Sequence, residues 1–178
     1  MNDLPLHPAH LADLKKSGLS DETISAARIY TPRPGDINKI LGPRFQKVQS
    51  ILAFPYSGCD GFERYKLFPP IQTENGTIKY FQPPKTGNAL YIPPDTKAIL
   101  GDVNIPIYIT EGEKKALKAT QEGLFCVGTG GLWNWSDGSE EKKLIQDFEQ
   151  IILKGRTIFI VPDNDWLSTD RHGERKNL

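Results

Sequence analysis

Two short stretches constrain the fold more than any other part of the chain. They are Tyr108-Ile109-Thr110-Glu111-Gly112-Glu113 and Ile158-Phe159-Ile160-Val161-Pro162-Asp163-Asn164-Asp165. Each is an apolar run with β-branched residues that stops at acidic side chains, the pattern of a buried strand bounded by turn residues. The interval between them has room for a helix, a third strand and a second helix. That alternation predicts a parallel sheet built from βαβ units. In such sheets ligands gather at the carboxyl ends of the strands, so Glu111, Asp163 and Asp165 are expected to meet at one edge. Like charges repel by roughly 4 kcal/mol per pair at about 4 Å and an effective dielectric near 20. A cation between them removes that cost, and the first expectation is a magnesium-dependent site acting on phosphates.

The chemistry suits the spacing. Magnesium takes oxygen ligands in near-octahedral geometry, usually one or two carboxylates together with phosphate oxygens and water. Asp163 and Asp165 are two residues apart, so on a strand they point the same way. Gly112 permits a tight turn out of the strand that carries Glu111. Two metals so held would stabilise both the attacking and the leaving oxygen of a phosphoryl transfer. Taken alone, Asp-Asn-Asp serves equally well as a turn or a helix cap; its pairing with Glu-Gly on another strand is what points to a site.

The rest of the chain supplies the setting. At 178 residues it is long enough for one domain or two small ones. No apolar stretch reaches the 18 or so residues of a membrane span, and the first residues lack the basic-then-apolar pattern of a signal peptide. Cys59 and Cys126 match no metal-ligand spacing and are expected as free thiols in a reducing cytoplasm. Net charge is zero, but residues 1–100 carry 12 Lys+Arg against 9 Asp+Glu, and residues 101–178 carry 10 against 13. A mildly basic front half beside an acidic back half fits a phosphate-holding surface next to a metal-holding one.

Residues 8–17 are predicted as a helix stopped by Gly18, and Ser20 as the cap of a second short helix. This hairpin carries no evident chemistry; His7 and His10 are expected in surface or capping roles. Thr31–Gly35 reads as a linker, with Asp36 capping a further helix that ends near Gly42-Pro43. From Ser50 the pattern turns to strands. They are Ile51–Tyr56, Phe62–Phe68, Ile78–Gln82 after the Glu74–Thr77 turn, and Ala89–Ile92, forming a small antiparallel sheet. Arg64 and Lys66 share one face of it, with Lys79, Lys85, Tyr80 and Phe81 nearby. Cations and interleaved aromatics suit a nucleic-acid backbone and its bases, and they equally suit a solvated strand face. In the second half, helices are predicted over Glu113–Glu122 and Ser139–Leu153. The latter carries the strongest amphipathic signal, in Leu144, Ile145, Phe148, Ile151 and Ile152. The Gly128-Thr129-Gly130-Gly131 loop either brings backbone N–H groups to a phosphate or is a plain turn. Trp133 and Trp135 either stack bases or pack beside the cleft.

On these residues the second half resembles a Toprim domain, the fold shared by bacterial-type primases, type IA and type II topoisomerases and certain nucleases. Its signature is a Glu-Gly closing the first strand and an Asp-x-Asp closing the third. The Thr110-Glu111-Gly112-Glu113-Lys114-Lys115-Ala116-Leu117 run looks most like the DUF3854 Toprim-like domains of phage and plasmid replication proteins. So does Gly128-Thr129-Gly130-Gly131-Leu132-Trp133-Asn134-Trp135. Such proteins of mobile genetic elements are often joined to helicase modules. The front half is similar to the RNA-polymerase subdomain of bacterial-type primases. Arg64 lies in a strand like that family's basic strand, and Lys79-Tyr80-Phe81-x-Pro resembles its Lys-Tyr-Leu-x-Ser-Pro motif. The likeness covers residues from about 50 to 166.

The resemblance implies an α/β chain in three parts: a helical segment over 1–49, a small antiparallel β subdomain over 50–100, and a Toprim-like (Rossmann-like) parallel sheet over 101–178. It implies catalytic and metal-binding roles for Glu111, Asp163 and Asp165, with Glu113 as a fourth acid. Arg64, Lys66, Lys79, Lys85 and Tyr80 would hold nucleic acid or nucleotide. The implied cofactor is Mg2+ or Mn2+, and the implied partners are single-stranded DNA, nucleoside triphosphates and a replicative helicase. The implied activity is primase-type nucleotidyl transfer in DNA replication, with a non-catalytic nucleic-acid- or protein-binding regulator and a metal-dependent nuclease as alternatives. Two departures stand out. Primases place an Asp four residues after the first Glu, where this chain has Lys115. After Asp-x-Asp there remains only a polar tail with Asp170, His172 and Glu174, so the sheet is expected without its last helix and strand.

Overall fold

The computed structural model describes residues 6–59, 61–74 and 76–163. Two sheets organise them. The first is antiparallel, in the order β1 (Ser50–Pro55), β2 (Glu63–Thr73), β3 (Gly76–Phe81). The second runs β4–β6–β5–β7, from Leu90–Tyr91, Cys126–Thr129, Ile107–Glu111 and Ile158–Val161 respectively. Its β5 is parallel to both β6 and β7, and β4 is antiparallel to β6. The chain is therefore α/β with a parallel core, as the acid-tipped runs predict. Strand β4 departs from expectation: it closes the edge of the second sheet rather than the first, because Leu90 and Tyr91 pair with Thr129 and Gly128. Both are fully or almost fully buried, as an apolar strand between two layers must be.

Helices α1 (Pro8–Lys16), α2 (Asp21–Ala26) and α3 (Pro34–Leu41) precede the sheets, and the short α4 (Pro94–Lys97) follows β4. Ser20 caps α2 by accepting from the Thr23 N–H, as its position predicts. The expected linker at 31–35 is shorter than its two prolines suggest. Pro34 opens α3, where a missing N–H costs nothing, and Asp36 sits in the first turn rather than at the cap. Strand β2 continues past Phe68 through Pro69 and Pro70 to Thr73. Pairing with β1 ends at Phe68 and the β3 register shifts between Lys66 and Ile71, so the prolines fall where the ladder asks least of them.

The predicted helix over 139–153 is the clearest correction. Only a 3-10 turn forms, Gln146–Gln150, preceded by a bridge between Ser136 and Leu144. Ile145, Phe148 and Ile151 are buried while Leu144 and Ile152 are half exposed. The inward spacing is therefore three, the period of a 3-10 turn and its extended flanks, not the 3.6 of an α-helix.

Three apolar clusters hold the layers together. One gathers Leu14, Leu19 and Ile24 of the N-terminal helices with Leu52 and Phe54 of β1, Tyr91 of β4 and Leu117 of α5 (Glu113–Gln121). The N-terminal hairpin thus wedges between the sheets. A second packs α3 on the far face of the antiparallel sheet, and a third lies behind the parallel sheet around Ile107, Val127 and Phe148. Strand β1 is buried on both faces, Ile51 to Phe54 being fully inaccessible. His10, expected near the surface, is fully buried too. Its ring nitrogens reach Thr31 Oγ1 (2.8 Å) and Ser50 Oγ (2.9 Å), and its ring lies 4.3 Å from that of Phe68. His7 caps α1, accepting from the Ala9 N–H. Both cysteines are free of disulfides. No helix among the described residues is long and apolar enough to cross a membrane.

Candidate functional site

Strands β5 and β7 are hydrogen-bonded neighbours, with Thr110 opposite Val161. That register carries Glu111 and Asp163 to the same carboxyl-end rim. The Asp163 N–H donates to Glu111 Oε1 at 3.3 Å. Asp165 lies outside the described residues, and no group of three possible metal-ligating acids, histidines or cysteines forms among those described. Two of the three expected acids are therefore brought together.

The turn out of β5 depends on two glycines. Gly112 has φ +80°, a backbone state that L side chains rarely adopt, and its N–H donates to Thr129 O at 2.7 Å. Across from it, a Cβ on Gly128 would lie 2.8 Å from the Gly112 carbonyl oxygen. This close approach sets the start of α5, whose first turn carries no side-chain cap. Uncapped N–H groups and the positive end of the helix dipole face an anion favourably.

Glu113 opens α5, but turns away from solvent, being 1% exposed. Its Oε1 accepts from Tyr56 Oη (2.7 Å) and from Arg64 Nη1 (2.8 Å). The expected fourth metal-binding acid is thus a clamp between the sheets, with one oxygen already shared by two donors. Burial, and then the Glu113 carboxylate, push the Tyr56 hydroxyl well above its usual pKa. For Arg64 burial works against the charge, but Glu113 and Tyr56 outweigh it and its pKa rises. Its guanidinium also sits 5.2 Å from the centre of the Tyr80 ring, a cation–π arrangement. The Arg64 Nε has no hydrogen-bond partner among the described residues.

Between these features lies a cleft of about 730 Å³, walled by Arg64 and Tyr80 from the antiparallel sheet, Glu111 and Gly112, the lysines of α5 and the Gly130-Gly131 turn. Lys114, Lys115 and Lys118 all border it. Lys115 forms an ion pair with Asp163, in which both side chains are roughly half exposed. The glycines of the loop make room rather than cradle: a Cβ on Gly130 would meet Arg64 Nη1 and Asn134 Nδ2 at 3.0 Å. Trp135 packs behind the sheet, whereas Trp133 is largely exposed, with Lys142 Nζ 5.5 Å from its ring centre.

The basic residues expected on the antiparallel sheet are divided. Lys66 is opposite Tyr80 in register, so it shares a face with Tyr80 and Arg64. Its ammonium is held by Asp13 of α1 at 2.5 Å, and Asp13 also takes Lys114 at 3.0 Å. Against the effect of burial, these two lysines hold the Asp13 carboxyl below its usual value. Lys66 is itself lowered by burial and by its like-charged neighbour Lys114. Lys79, between Ile78 and Tyr80, alternates to the other face, and Lys85 stands exposed in a turn with φ +66°. Neither lines the cleft.

Asp13, Tyr56, Lys114 and Lys118 are the site residues that sequence reasoning misses. Lys114 and Lys118, four apart on the helix after Glu-Gly, share a face in the sequence pattern itself. Asp13 gives no local signal, because its partners lie 53 and 101 residues away.

Residues 97–174 match the family described as "Domain of unknown function (DUF3854)". No curated protein matches the chain. Among solved structures, the chain is similar to the DnaG catalytic core with a TM-score of 0.55 at 18% identity, over 96% of this chain and 58% of that one. At that identity the likeness establishes the fold. The matched segment contains the parallel strands β5, β6 and β7, α5 and the acid pair. The alignment with the DnaG core runs through the antiparallel sheet as well, as the primase-like motifs of the front half imply. The chain spans a little over half the length of that structure.

Proposed function

We propose that the cleft between the two sheets is a phosphoryl-transfer site, of the primase type, acting on nucleoside triphosphates and a single-stranded DNA template in phage- or plasmid-type replication. The observation that carries this reading is the Glu111–Asp163 pair, on neighbouring parallel strands, opening beside a cleft lined by Arg64, Lys114, Lys115 and Lys118. The donor set suits a hard divalent cation, Mg2+ or Mn2+: two carboxylates with an open side toward a phosphate-sized basic space. Asp165, two residues on from Asp163, is proposed as the third acid. A cation bound there would neutralise charge on the phosphoryl oxygens. The protein's own residues would do the rest. Arg64, fixed by Glu113 and Tyr80, presents a guanidinium whose direction is already set. The α5 lysines and the uncapped helix terminus attract the triphosphate, and Tyr80 offers an aromatic wall for a base.

A second reading is favoured by one observation: Lys115 already neutralises Asp163. A non-catalytic nucleic-acid-binding module would keep the basic cleft and dispense with the metal. Template-dependent extension of a labelled primer with Mg2+ or Mn2+, in the wild type, Asp163→Asn and Glu111→Gln, separates the readings. Synthesis that both substitutions reduce by at least about 100-fold is expected. Oligonucleotide binding without synthesis under either metal establishes the binding module, and metal-dependent loss of the template establishes a nuclease.

A further inference from the structure

Lys115 belongs to two places at once. Its side chain borders the basic cleft, yet its ammonium is spent on Asp163, the acid that with Glu111 forms the candidate cation site. Arg64 is committed to Glu113, and Lys66 and Lys114 to Asp13. Lys115 is therefore the cleft cation whose partner is itself an expected metal ligand. An ammonium and a divalent cation cannot both take the same carboxylate oxygen without strong repulsion. The pair is half exposed, so it is weak enough to break. An anion entering the cleft within reach of Lys115 offers it a second partner.

We propose that Lys115 is a tethered cation that holds the site until phosphate arrives, exchanging Asp163 for the phosphate and releasing the carboxylate to the metal. Resting on the metal-site reading above, the exchange makes metal and phosphate bind cooperatively. Each improves the other's affinity by the same factor, since coupling between two bound ligands is reciprocal. The device also discriminates in order: metal alone binds poorly, and the acids are spared adventitious cations until substrate is present.

The test measures Mn2+ binding directly, by loss of the free-ion electron paramagnetic resonance signal, without reference to activity. Wild type, Lys115→Gln and Lys115→Arg are titrated with and without millimolar inorganic phosphate, against protein-free controls for Mn2+–phosphate complexation. Lys115 is exposed on its helix, so both substitutions leave the fold intact. Without phosphate, Lys115→Gln is expected to bind Mn2+ about three- to fivefold more tightly than wild type, the factor that releasing one half-exposed ion pair allows. Phosphate is expected to tighten Mn2+ binding by wild type by a similar factor and that by Lys115→Gln hardly at all, with Lys115→Arg following wild type. Equal affinities in wild type and Lys115→Gln, with the same response to phosphate, overturn the gate and leave the metal site standing. Absence of Mn2+ binding in all three proteins, with or without phosphate, overturns the metal site and the gate with it.

Discussion

Replacing Glu113 by glutamine separates a structural clamp from a metal ligand. Glutamine keeps the size and the acceptor oxygen, so the Tyr56 hydroxyl still has a partner. What disappears is the negative charge opposite Arg64, a guanidinium only 11% exposed. Removing one partner of a buried ion pair costs about 3–5 kcal/mol, because the other charge is left without compensation. For a chain of this size that corresponds to a fall in melting temperature on the order of 10 °C. Combining Glu113→Gln with Arg64→Met removes the stranded charge and should restore at least half of the loss, since an apolar replacement for a buried pair is often neutral. The assay is thermal and urea unfolding of wild type, both single variants and the double variant, with Mn2+ titration of each at low temperature. Mn2+ affinity is expected to change less than twofold in Glu113→Gln. A Glu113→Gln protein as stable as wild type, with Mn2+ binding abolished, would refute the clamp and make Glu113 a ligand.

Two further outcomes follow from buried geometry. Burial, reinforced by His7, lowers the His10 pKa from 6.5 to about 4. Its neutral form therefore stabilises the fold fully above about pH 6.5, and that contribution is lost as pH falls toward 4. About 2 kcal/mol should be gone by pH 5, read as a urea midpoint that drops between pH 7.5 and 5 in wild type but much less in His10→Gln; parallel profiles in the two would refute it. Gly128→Ala should destabilise by about 1–3 kcal/mol, because the new methyl meets backbone at Gly112. Gly130→Ala should cost less, since the atoms it meets are the ends of Arg64 and Asn134; the reverse ranking by urea unfolding would count against the close-approach account.

How far the sequence reaches is clear from individual residues. The acid-tipped runs were legible as strands because β-branched residues ending at turn-forming acids carry a backbone pattern, and that pattern survives in β5 and β7, with Glu111 and Asp163 at their ends; the burial expected of both does not, since β7 is exposed along its length. The 139–153 segment misleads because Leu144-Ile145, Phe148 and Ile151-Ile152 satisfy a helical template while only the middle set, three apart, is buried. No window along the chain distinguishes those periods when the competing contacts come from Leu90 and Ile107. Strand β4 was legible as a strand but not as a partner of β6, since pairing between strands over 35 residues apart leaves no local trace. The roles of Arg64, Lys66 and Glu113 were hidden for the same reason: their charges are answered by residues on other elements, and a cation that looks available in sequence is already engaged in space. His10 shows the converse, a polar residue made a core residue by two hydroxyls brought from Thr31 and Ser50.

Strand β7 has one neighbour among the described residues, and all four of its side chains are exposed, Ile160 by 76%. It is also the strand that delivers Asp163. An edge held on one side opens locally at lower free energy than a central strand, and a site built on it is complete only for the fraction of time that the edge is docked. The apparent affinity for any ligand of Asp163 is reduced by that fraction. A molecule or further polypeptide docked on the apolar edge would therefore tighten the acid pair without touching it, so that cover at β7 would set the sensitivity of any ligand site at its tip.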